Sequence, residues 1–488
     1  MDNSYIDYNK YINIKNSKKI NILTHHKVKK HNKNYIRNMV KKDLSINNCN
    51  LDTNQKEAVY IDEVNTLVLA GAGSGKTLTI IAKIKYLIEE KHIPKEEILC
   101  LSFTNETVKN LKEKVEYNID IFTFHKLAIE IINDYKIYYN ISSSDYLEYI
   151  INEVFLSLCS DIKENDLRYF VKRISNFINI FKVNNYDINI LKKLSKKNNK
   201  LLKVIIYIYY IYENELSSSI SYDFNDLINK ASYLIQKYGL KRYYKYVIVD
   251  EFQDISKSRY ELIKQIINSC NSHLFAVGDD FQSIYRFAGS RLELITNFKK
   301  YFGYTRVVKL LNTYRNSNEL ILAASLFVLK NGNQIKKRLR SSKKLYKPIK
   351  IVYYEKNMEI KLRILFKTIN TKVLVLSRNN YDEKIVKEID DNIIFKTIHK
   401  SKGLEEENVI VLGLFDGYFG FPSKQEDELN KLLIKKENCL YEEERRLFYV
   451  ALTRTKNYVY LFVDKSRPSI FIKELFKTSR RYIEVLDL

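Results

Sequence analysis

The chain has 488 residues, 45% of them hydrophobic, which exceeds what one hydrophobic core usually holds and favours roughly two to four domains. Its five cysteines show no CxxC spacing, which argues against a zinc or iron–sulfur site and is typical of a reducing, cytoplasmic setting. The net charge of +24 suits a polyanionic partner such as nucleic acid, but the abundance of Lys, Asn, Ile and Tyr is also typical of an AT-rich genome.

Residues 1–48 are predicted to form a basic, polar N-terminal extension with a charge-rich run from Lys27 to Lys33. Two interpretations stay open for it, a solvated and partly disordered tail or an arm that contacts nucleic acid. It lacks the apolar region of a secretory signal. The longest apolar stretch of the chain, Leu201 to Tyr212, is interrupted by Lys203 and is too short to span a bilayer. We expect a buried helix there, and no membrane partner.

From Leu51 onward, short β-branched runs alternate with amphipathic stretches. The pattern predicts a helix from Leu78 to Glu90 and strands at Thr66–Ala70, Ile98–Phe103, Tyr246–Asp250 and Leu274–Gly278. Continuous apolar strands separated by helices indicate a parallel α/β sheet covered on both faces.

Residues 127–222 differ from this alternating pattern, because their apolar residues follow a helical period and they contain no clear strand. We interpret them as a helical insertion in the first α/β domain. A second α/β texture follows Arg315, with a helix at Glu442–Leu452 and strands at Val373–Leu376, Asn408–Leu412 and Tyr458–Val463.

A phosphate-binding loop is predicted at residues 70–77, which follow a strand and open a helix. Its glycines let backbone N–H groups approach phosphates, and the helix N-terminus favours anions. Lys76 would reach the β- and γ-phosphates of ATP, and Thr77 would ligate Mg²⁺. The candidate nucleotide-binding residues of this loop are Ala70, Gly71, Ala72, Gly73, Ser74, Gly75, Lys76 and Thr77.

Two carboxylates, Asp250 and Glu251, end the apolar strand that follows Tyr246. Ligands bind at the carboxyl edge of open α/β sheets, so the pair is expected at the same edge as the phosphate-binding loop. Asp250 would hold Mg²⁺, and Glu251 would orient and deprotonate the attacking water.

A series of further motifs resembles, in order, those of the UvrD/Rep/PcrA group of superfamily 1 (SF1A) helicases, from about Leu51 to Lys473. The segments are LDTNQ at 51–55, LSFTN at 101–105, TFH at 123–125, DFNDL at 223–227, DEFQD at 250–254, VGDDFQSIYRF at 277–287, NTYR at 312–315, TIHKSKGLE at 397–405 and EERRLFYVALTR at 443–454. The resemblance implies two RecA-like P-loop domains with parallel sheets and a helical insertion in the first.

The same resemblance implies further roles at the nucleotide. They are Gln55 and Tyr314 at the adenine, Glu405 at the ribose, and Gln282, Arg315 and Arg454 at the γ-phosphate. The expected catalytic set is Lys76, Glu251, Gln282, Arg315 and Arg454.

It also implies a set of DNA-binding residues, namely Phe103, Thr104, Asn105, Thr123, His125, Tyr285, Phe287, Thr397, His399 and Lys402. The family usually has Trp where Phe287 lies and often Arg where Ala288 lies. Base stacking needs only a π face, so Phe287 can serve, whereas a polar contact at Ala288 is expected to be absent.

The implied domains are an N-terminal extension (1–48), a first RecA-like domain 1A (49–126 and 223–305), an insertion 1B (127–222) and a second RecA-like domain 2A (306–488). Larger relatives insert a helical domain, 2B, between the motifs at 373–378 and 397–405. Here only 18 residues, Asn379 to Lys396, separate these motifs, so no 2B domain is expected.

The function implied is an ATP-dependent DNA helicase or single-stranded DNA translocase moving 3′ to 5′, with ATP and Mg²⁺ as cofactors. Single-stranded and tailed duplex DNA are the expected partners, and RNA remains open as a strand. The alternative is a DNA-stimulated ATPase subunit that senses DNA in a repair or phage-defence complex and unwinds little by itself.

Overall fold

The computed structural model describes residues 4–8, 25–46, 48–159, 161–195, 200–389, 393–425, 428–434 and 439–488. Of the expected N-terminal extension, residues 1–3, 9–24 and 47 lie outside the described residues. Its charge-rich run lies within the helix His25–Met39, and Ser45–Ile46 pairs antiparallel with Cys49–Asn50 directly before the first domain.

The first domain is built on a six-stranded sheet in which every neighbouring pair is parallel. In spatial order its strands are Arg306–Lys309, Asn65–Leu69, His273–Gly278, Tyr246–Val249, Ile98–Ser102 and Asp120–Thr123. Both faces are covered, because alternate residues of a strand point to opposite sides. Val68 and Cys100 lie in one core, whereas Leu67 and Leu99 lie in the other.

Three longer helices cover each face of the first sheet. Thr53–Tyr60, Lys76–Glu89 and Asn105–Lys114 contribute Val59, Ile80 and Leu111 to one core, and Phe124–Asp134, Phe224–Tyr238 and Lys257–Cys270 contribute Leu127, Leu227 and Leu262 to the other. The shorter elements of this domain are Lys95–Glu97, Phe252–Asp254, Asp280–Gln282, Arg286–Ala288, Glu293–Thr296 and Phe298–Phe302.

The described residues of the insertion form four helices, Tyr146–Leu158, Glu164–Val183, Ile188–Ser195 and Lys200–Ser218. Strands Asn140–Ile141 and Ser221–Tyr222 pair parallel where the chain enters and leaves it. The apolar stretch predicted as a buried helix lies in Lys200–Ser218, with Leu202, Ile205, Ile208 and Tyr212 buried. Within the described residues, no helix combines the length and apolarity needed to cross a bilayer.

The second domain has its own six-stranded parallel sheet. In spatial order its strands are Ile394–Thr397, Val373–Ser377, Asn408–Leu414, Val459–Asp464, Ile349–Tyr354 and Ile483–Leu486. Helices Asn318–Val328, Glu442–Leu452 and Ile470–Ser479 pack on one face, and Met358–Thr368 and Asp382–Ile389 on the other. The 3₁₀ turns are His399–Ser401, Asn430–Leu432 and Arg480–Tyr482. The predicted fold class, two parallel α/β domains with a helical insertion in the first, is confirmed.

Two expected domain boundaries need correction. Strand Arg306–Lys309, expected at the start of the second domain, pairs with Asn65–Leu69 at the edge of the first sheet. Helix Phe124–Asp134 belongs to the first domain and not to the insertion expected from residue 127, because Leu127, Ile131 and Ile132 are buried in the first-domain core. Backbone pairing assigns the strand and a buried apolar face assigns the helix, and the sequence pattern alone shows neither.

Candidate nucleotide cleft and DNA interface

The phosphate-binding loop adopts a conformation that requires two of its glycines. Gly73 has φ +66° and Gly75 has φ +77°, both in the left-handed region that residues with a Cβ rarely adopt. A Cβ on Gly73 would lie 2.5 Å from Arg315 Cβ, and one on Gly75 would lie 2.5 Å from Gln55 Nε2. The Ser74 hydroxyl donates to the Gly71 carbonyl at 2.9 Å, which closes the loop before helix Lys76–Glu89 begins. Thr77 is the second residue of that helix.

Gln55 and Tyr314, both predicted to contact adenine, converge on Asp52. The Asp52 side chain caps helix Thr53–Tyr60 by accepting from the Gln55 N–H at 2.9 Å, while the Gln55 side chain accepts from the Asp52 N–H at 2.9 Å. Gln55 Nε2 donates to the Ser74 carbonyl at 3.2 Å, which joins this capping box to the phosphate-binding loop. The Tyr314 hydroxyl donates to Asp52 Oδ2 at 2.7 Å, and 60% of the Tyr314 residue surface is exposed. The structure thus brings the two predicted adenine contacts together and leaves Tyr314 largely exposed.

The cationic and acidic groups of the first wall are already paired. Lys76 Nζ lies 2.9 Å from Glu251 Oε1 and 3.0 Å from Glu251 Oε2. Burial by itself lowers the pKa of Lys76. The Glu251 and Asp250 carboxylates raise it by a larger amount, so the pKa of Lys76 is raised overall. Burial raises the pKa of Glu251, yet Lys76 and Lys402 lower it more, to about 2. Glu251 is therefore ionised at neutral pH, which a general base requires.

Glu251 also has an unusual backbone, with φ 49° and ψ 42° in the left-handed region. Such conformations cost of order 1–3 kcal/mol in a residue other than glycine and concentrate at functional sites. Here the turn separates Glu251, which faces Lys76, from Asp250, whose Oδ1 accepts from the Glu251 N–H at 2.8 Å. Burial and the neighbouring Glu251 raise the pKa of Asp250 to about 7. The two adjacent carboxylates thus have separated pKa values, as expected for separate roles.

The predicted γ-phosphate residues of the two walls meet directly. Arg454, on the second wall, donates from Nη2 to Gln282 Oε1 on the first wall at 3.0 Å. Gln282 Nε2 in turn donates to Asp279 Oδ2 at 2.7 Å. Arg315 binds Glu405, with Nε and Nη2 each 2.6 Å from Oε2, and donates to the Thr453 carbonyl at 3.2 Å. The structure therefore brings Gln282, Arg315, Glu405 and Arg454 to one cleft.

Sequence analysis missed one residue at the base of this cleft, Lys337. It lies in the connection between the two domains, and its side chain is completely buried. Its ammonium donates to Asp279 Oδ1 at 2.5 Å, to Asp280 Oδ1 at 2.6 Å and to the Ala70 carbonyl at 3.0 Å. Nothing in the local run of lysines and arginines around it distinguishes this lysine from exposed neighbours, so only the three-dimensional structure identifies it.

Lys402, predicted to contact the DNA backbone, has partners among the residues of the nucleotide cleft. Its ammonium forms a short hydrogen bond with Asp254 Oδ2, donates to the Gln282 carbonyl at 3.2 Å and lies 3.9 Å from Glu251 Oε2. The 3₁₀ turn His399–Ser401 immediately precedes it and directs it into the cleft, where buried carboxylates attract its charge. Lys402 therefore lies at the edge of the nucleotide cleft, 5.0 Å from the centre of the Tyr285 ring, and its contact with the DNA backbone stays a prediction.

An aromatic surface spans both domains beside this cleft. The rings of Phe103 and Tyr285 are nearly parallel, with an interplanar angle of 7° and centroids 6.1 Å apart. Phe287 is 45% exposed and meets the His399 ring edge-on at 5.2 Å. The Tyr285 hydroxyl donates to the His399 carbonyl at 3.2 Å, which connects the domains. Four of the predicted DNA-binding residues, Phe103, Tyr285, Phe287 and His399, therefore form one continuous surface.

The other predicted DNA-binding residues lie apart from this surface or already have partners. Thr104 and Thr123 cap helices Asn105–Lys114 and Phe124–Asp134 through their side-chain oxygens, and Asn105 is exposed at the start of the first of these helices. Thr397 ends an edge strand of the second sheet. His125 packs edge-on against Phe224 at 5.4 Å. Burial and, to a smaller extent, Arg259 lower the pKa of His125 to about 4, so the ring is neutral at pH 7.

The fold and cleft define a class of protein, the two-domain P-loop nucleotide motors. A phosphate-binding loop and an acidic strand end form one wall, and two arginines approach from the other. The family model described as the UvrD/REP helicase N-terminal domain matches residues 51–303, more than half of the 488-residue chain. The chain belongs to this family, and the predicted resemblance is confirmed.

Comparison with curated proteins gives the same relationship. The chain is 28% identical over 477 residues to DNA helicase IV of Escherichia coli (strain K12), covering 87% of this chain and 70% of that protein. It is 32% identical over 363 residues to ATP-dependent DNA helicase Rep of Buchnera aphidicola subsp. Schizaphis graminum, covering 69% and 54%. It is 30% identical over 364 residues to ATP-dependent DNA helicase PcrA of Bacillus subtilis, covering 68% and 48%. The chain thus spans about half the length of these Rep and PcrA relatives.

Proposed function

We propose that this protein hydrolyses ATP to move along single-stranded DNA and separates duplex DNA, with 3′-to-5′ polarity. The contact between Arg454 and Gln282, 3.0 Å long, carries the proposal, because it joins the predicted γ-phosphate groups of two separate domains. Charge on a transferring phosphoryl group is stabilised by cations that are positioned in advance. A site assembled from two domains makes hydrolysis depend on their relative position, which is the requirement for converting hydrolysis into movement.

Within the cleft, each group has a proposed task. The backbone N–H groups of residues 71–77 and the Lys76 ammonium would bind the phosphates, and Tyr314 would stack on the adenine. Glu251 would hold the attacking water and accept its proton. Arg315 and Arg454 would neutralise charge at the γ-phosphate. Glu405 would release Arg315 and accept hydrogen bonds from the ribose hydroxyls instead.

Asp250 and Thr77 would hold Mg²⁺, which neutralises phosphate charge when bound. The donor set fits this ion, since Mg²⁺ takes one or two protein oxygens and completes its octahedron with water and phosphate oxygens.

The aromatic surface of Phe103, Tyr285 and Phe287 would bind successive bases. Base–aromatic stacking contributes about 1–3 kcal/mol per base and tolerates any sequence, as a motor that travels along a strand requires. His399 links this surface to the second domain, so a change in the cleft would move one end of the stacking surface relative to the other.

A second candidate function is a DNA-stimulated ATPase subunit that senses DNA for a protein partner in a repair or phage-defence complex. The observation in its favour is the 18-residue spacing between the motifs ending at Arg378 and starting at Thr397, which leaves no room for a 2B domain. Helix Asp382–Ile389 and strand Ile394–Thr397 fill the described part of this interval. The two candidates share ATP hydrolysis and DNA binding and differ in strand separation.

The test measures the ATPase rate with and without single-stranded DNA, and strand separation on duplexes with a 3′ or a 5′ tail. We expect DNA to stimulate hydrolysis and the 3′-tailed duplex alone to be unwound. Lys76→Ala provides the inactive control and Lys336→Ala, an exposed lysine near the cleft, the matched neutral control. Stimulation without unwinding would favour the subunit hypothesis, and an ATPase rate indifferent to DNA would refute both.

We also propose that the protein works in the cytoplasm. The five cysteines are separate free thiols, which suits a reducing compartment.

A further inference from the structure

Arg259 lies beside the aromatic surface but belongs to none of the motifs described above. It occupies the first turn of helix Lys257–Cys270, where its N–H donates to the capping Ser256 hydroxyl at 3.4 Å. Its guanidinium carbon lies 4.3 Å from the centre of the Phe103 ring and 5.8 Å from the centre of the Phe124 ring. The helix start therefore fixes a cation over the face of a ring that the proposed function assigns to base stacking.

The charge of Arg259 is not neutralised by the protein around it. Among the described residues, no carboxylate forms an ion pair with its guanidinium, whereas Arg242, Arg291 and Arg315 each pair with at least one. Asp254 faces the same region, but its Oδ2 is already held by Lys402. Arg259 is also only partly exposed, so water screens its charge incompletely.

The pKa values of Arg259 and of the neighbouring His125 leave the arginine charged and the histidine neutral at pH 7. Burial lowers the pKa of Arg259 to about 10 although Asp254 acts in the opposite direction, so the side chain remains protonated at pH 7. His125, the other basic group nearby, is neutral at that pH because its pKa is lowered to about 4, first by burial and then by Arg259. Among the described residues, Arg259 is thus the cation over the Phe103 ring, while Lys402, 5.0 Å from the Tyr285 ring, is paired with Asp254.

An unneutralised, partly buried guanidinium requires a counter-charge, and a nucleotide supplies one together with its base. Arginine is suited to this contact, because its planar fork can stack on an aromatic ring and still direct N–H groups to phosphate oxygens. We propose that Arg259 binds a backbone phosphate of the nucleotide whose base stacks on Phe103. The inference rests on the proposed binding of single-stranded DNA and adds a specific phosphate contact to it.

The test uses the full chain and a fluorescein-labelled single-stranded oligothymidylate, with fluorescence anisotropy measured over a series of KCl concentrations. Each phosphate neutralised on a single strand contributes about 0.7 to the slope of log K against log salt concentration. Arg259→Gln should lower the affinity about five- to tenfold at low salt and reduce this slope by about 0.7. Arg259→Lys, which keeps the charge, should restore most of the slope.

Two variants separate phosphate binding from other effects. Lys264→Gln removes an exposed lysine from the same helix, 5.7 Å from the Tyr260 ring, and should leave affinity and slope unchanged. Phe103→Leu should lower affinity while leaving the slope at the wild-type value. If Arg259→Gln lowers affinity without changing the slope, the arginine only supports the ring, and the inference is refuted. If the wild-type chain binds no single-stranded DNA, the proposed function fails as well.

Discussion

Lys337→Met should weaken the junction between the phosphate-binding loop and the connection to the second domain. Methionine has a similar length but cannot donate to Asp279, Asp280 or the Ala70 carbonyl, which lie 2.5, 2.6 and 3.0 Å from the ammonium. Removing one partner of a buried ion pair costs about 3–5 kcal/mol, because the remaining charge is left buried and uncompensated.

The structure favours the lower end of this range. Asp279 retains hydrogen bonds from Gln282 Nε2 at 2.7 Å and the Phe281 N–H at 3.1 Å. Asp280 Oδ2 retains hydrogen bonds from Gln334 Nε2 at 2.9 Å and the Ile335 N–H at 2.7 Å. We therefore expect a loss of about 3 kcal/mol in the local opening free energy.

Hydrogen exchange measured on peptides that cover residues 273–284 and 331–340 tests this value, since a chain with several domains does not unfold in two states. Protection in these peptides should fall about a hundredfold, because about 1.4 kcal/mol corresponds to a factor of ten. Lys336→Met, at the exposed neighbouring lysine, should change little. Protection in Lys337→Met that equals the Lys336→Met value would refute the reasoning. Adding Asp280→Asn to Lys337→Met should recover about 1–3 kcal/mol, since the two positions interact directly.

Three further predictions concern single side chains. Lys76→Ala should lower ATP turnover below about 1% of wild type, because the loop loses its phosphate cation, and normal turnover would remove the site assignment. Glu251→Gln should bind ATP and DNA with near wild-type affinity but not hydrolyse ATP; loss of ATP binding in an equilibrium assay would indicate a structural role instead. Burial, and secondly the charge of Arg378, lower the pKa of His399 to about 3. Its ring stays neutral in the folded protein at pH 5 but is protonated below about pH 6.5 when unfolded, so this histidine makes stability fall as pH drops below about 6.5. His399→Gln should reduce the difference between melting temperatures at pH 7.5 and 5, and an unchanged difference would contradict the lowered pKa.

Local sequence patterns predicted the elements that carry the cleft closely. The helix expected at Leu78–Glu90 is observed at Lys76–Glu89, and the one expected at Glu442–Leu452 has those bounds. Both follow from motifs in which glycine or charged residues adjoin an apolar run, a local signal that tertiary packing does not override. The phosphate-binding loop was predictable for the same reason, since its left-handed positions admit little except glycine.

Contacts between distant segments were less accessible from sequence. Lys337 and Lys402 lie in basic runs similar to exposed ones, yet both have side chains buried against carboxylates of the first domain. The hydroxyls of Thr104 and Thr123 cap helices by accepting backbone N–H groups, a local use that the motif resemblance does not disclose. Residue type predicted a function for these segments, but three-dimensional packing decides which partner each side chain has.

The groups that the proposed function assigns to the nucleotide are already paired with one another in the cleft. Lys76 holds Glu251, Arg454 holds Gln282, and Arg315 holds Glu405. Binding of ATP would therefore replace existing ion pairs and hydrogen bonds rather than add to unpaired groups, and the net free energy of binding would be the difference between the two sets. Because the Arg454–Gln282 contact crosses the domain interface, that exchange also changes what holds the domains together. The Arg454–Gln282 contact would thus couple the proposed nucleotide binding to the domain movement proposed to drive travel along DNA.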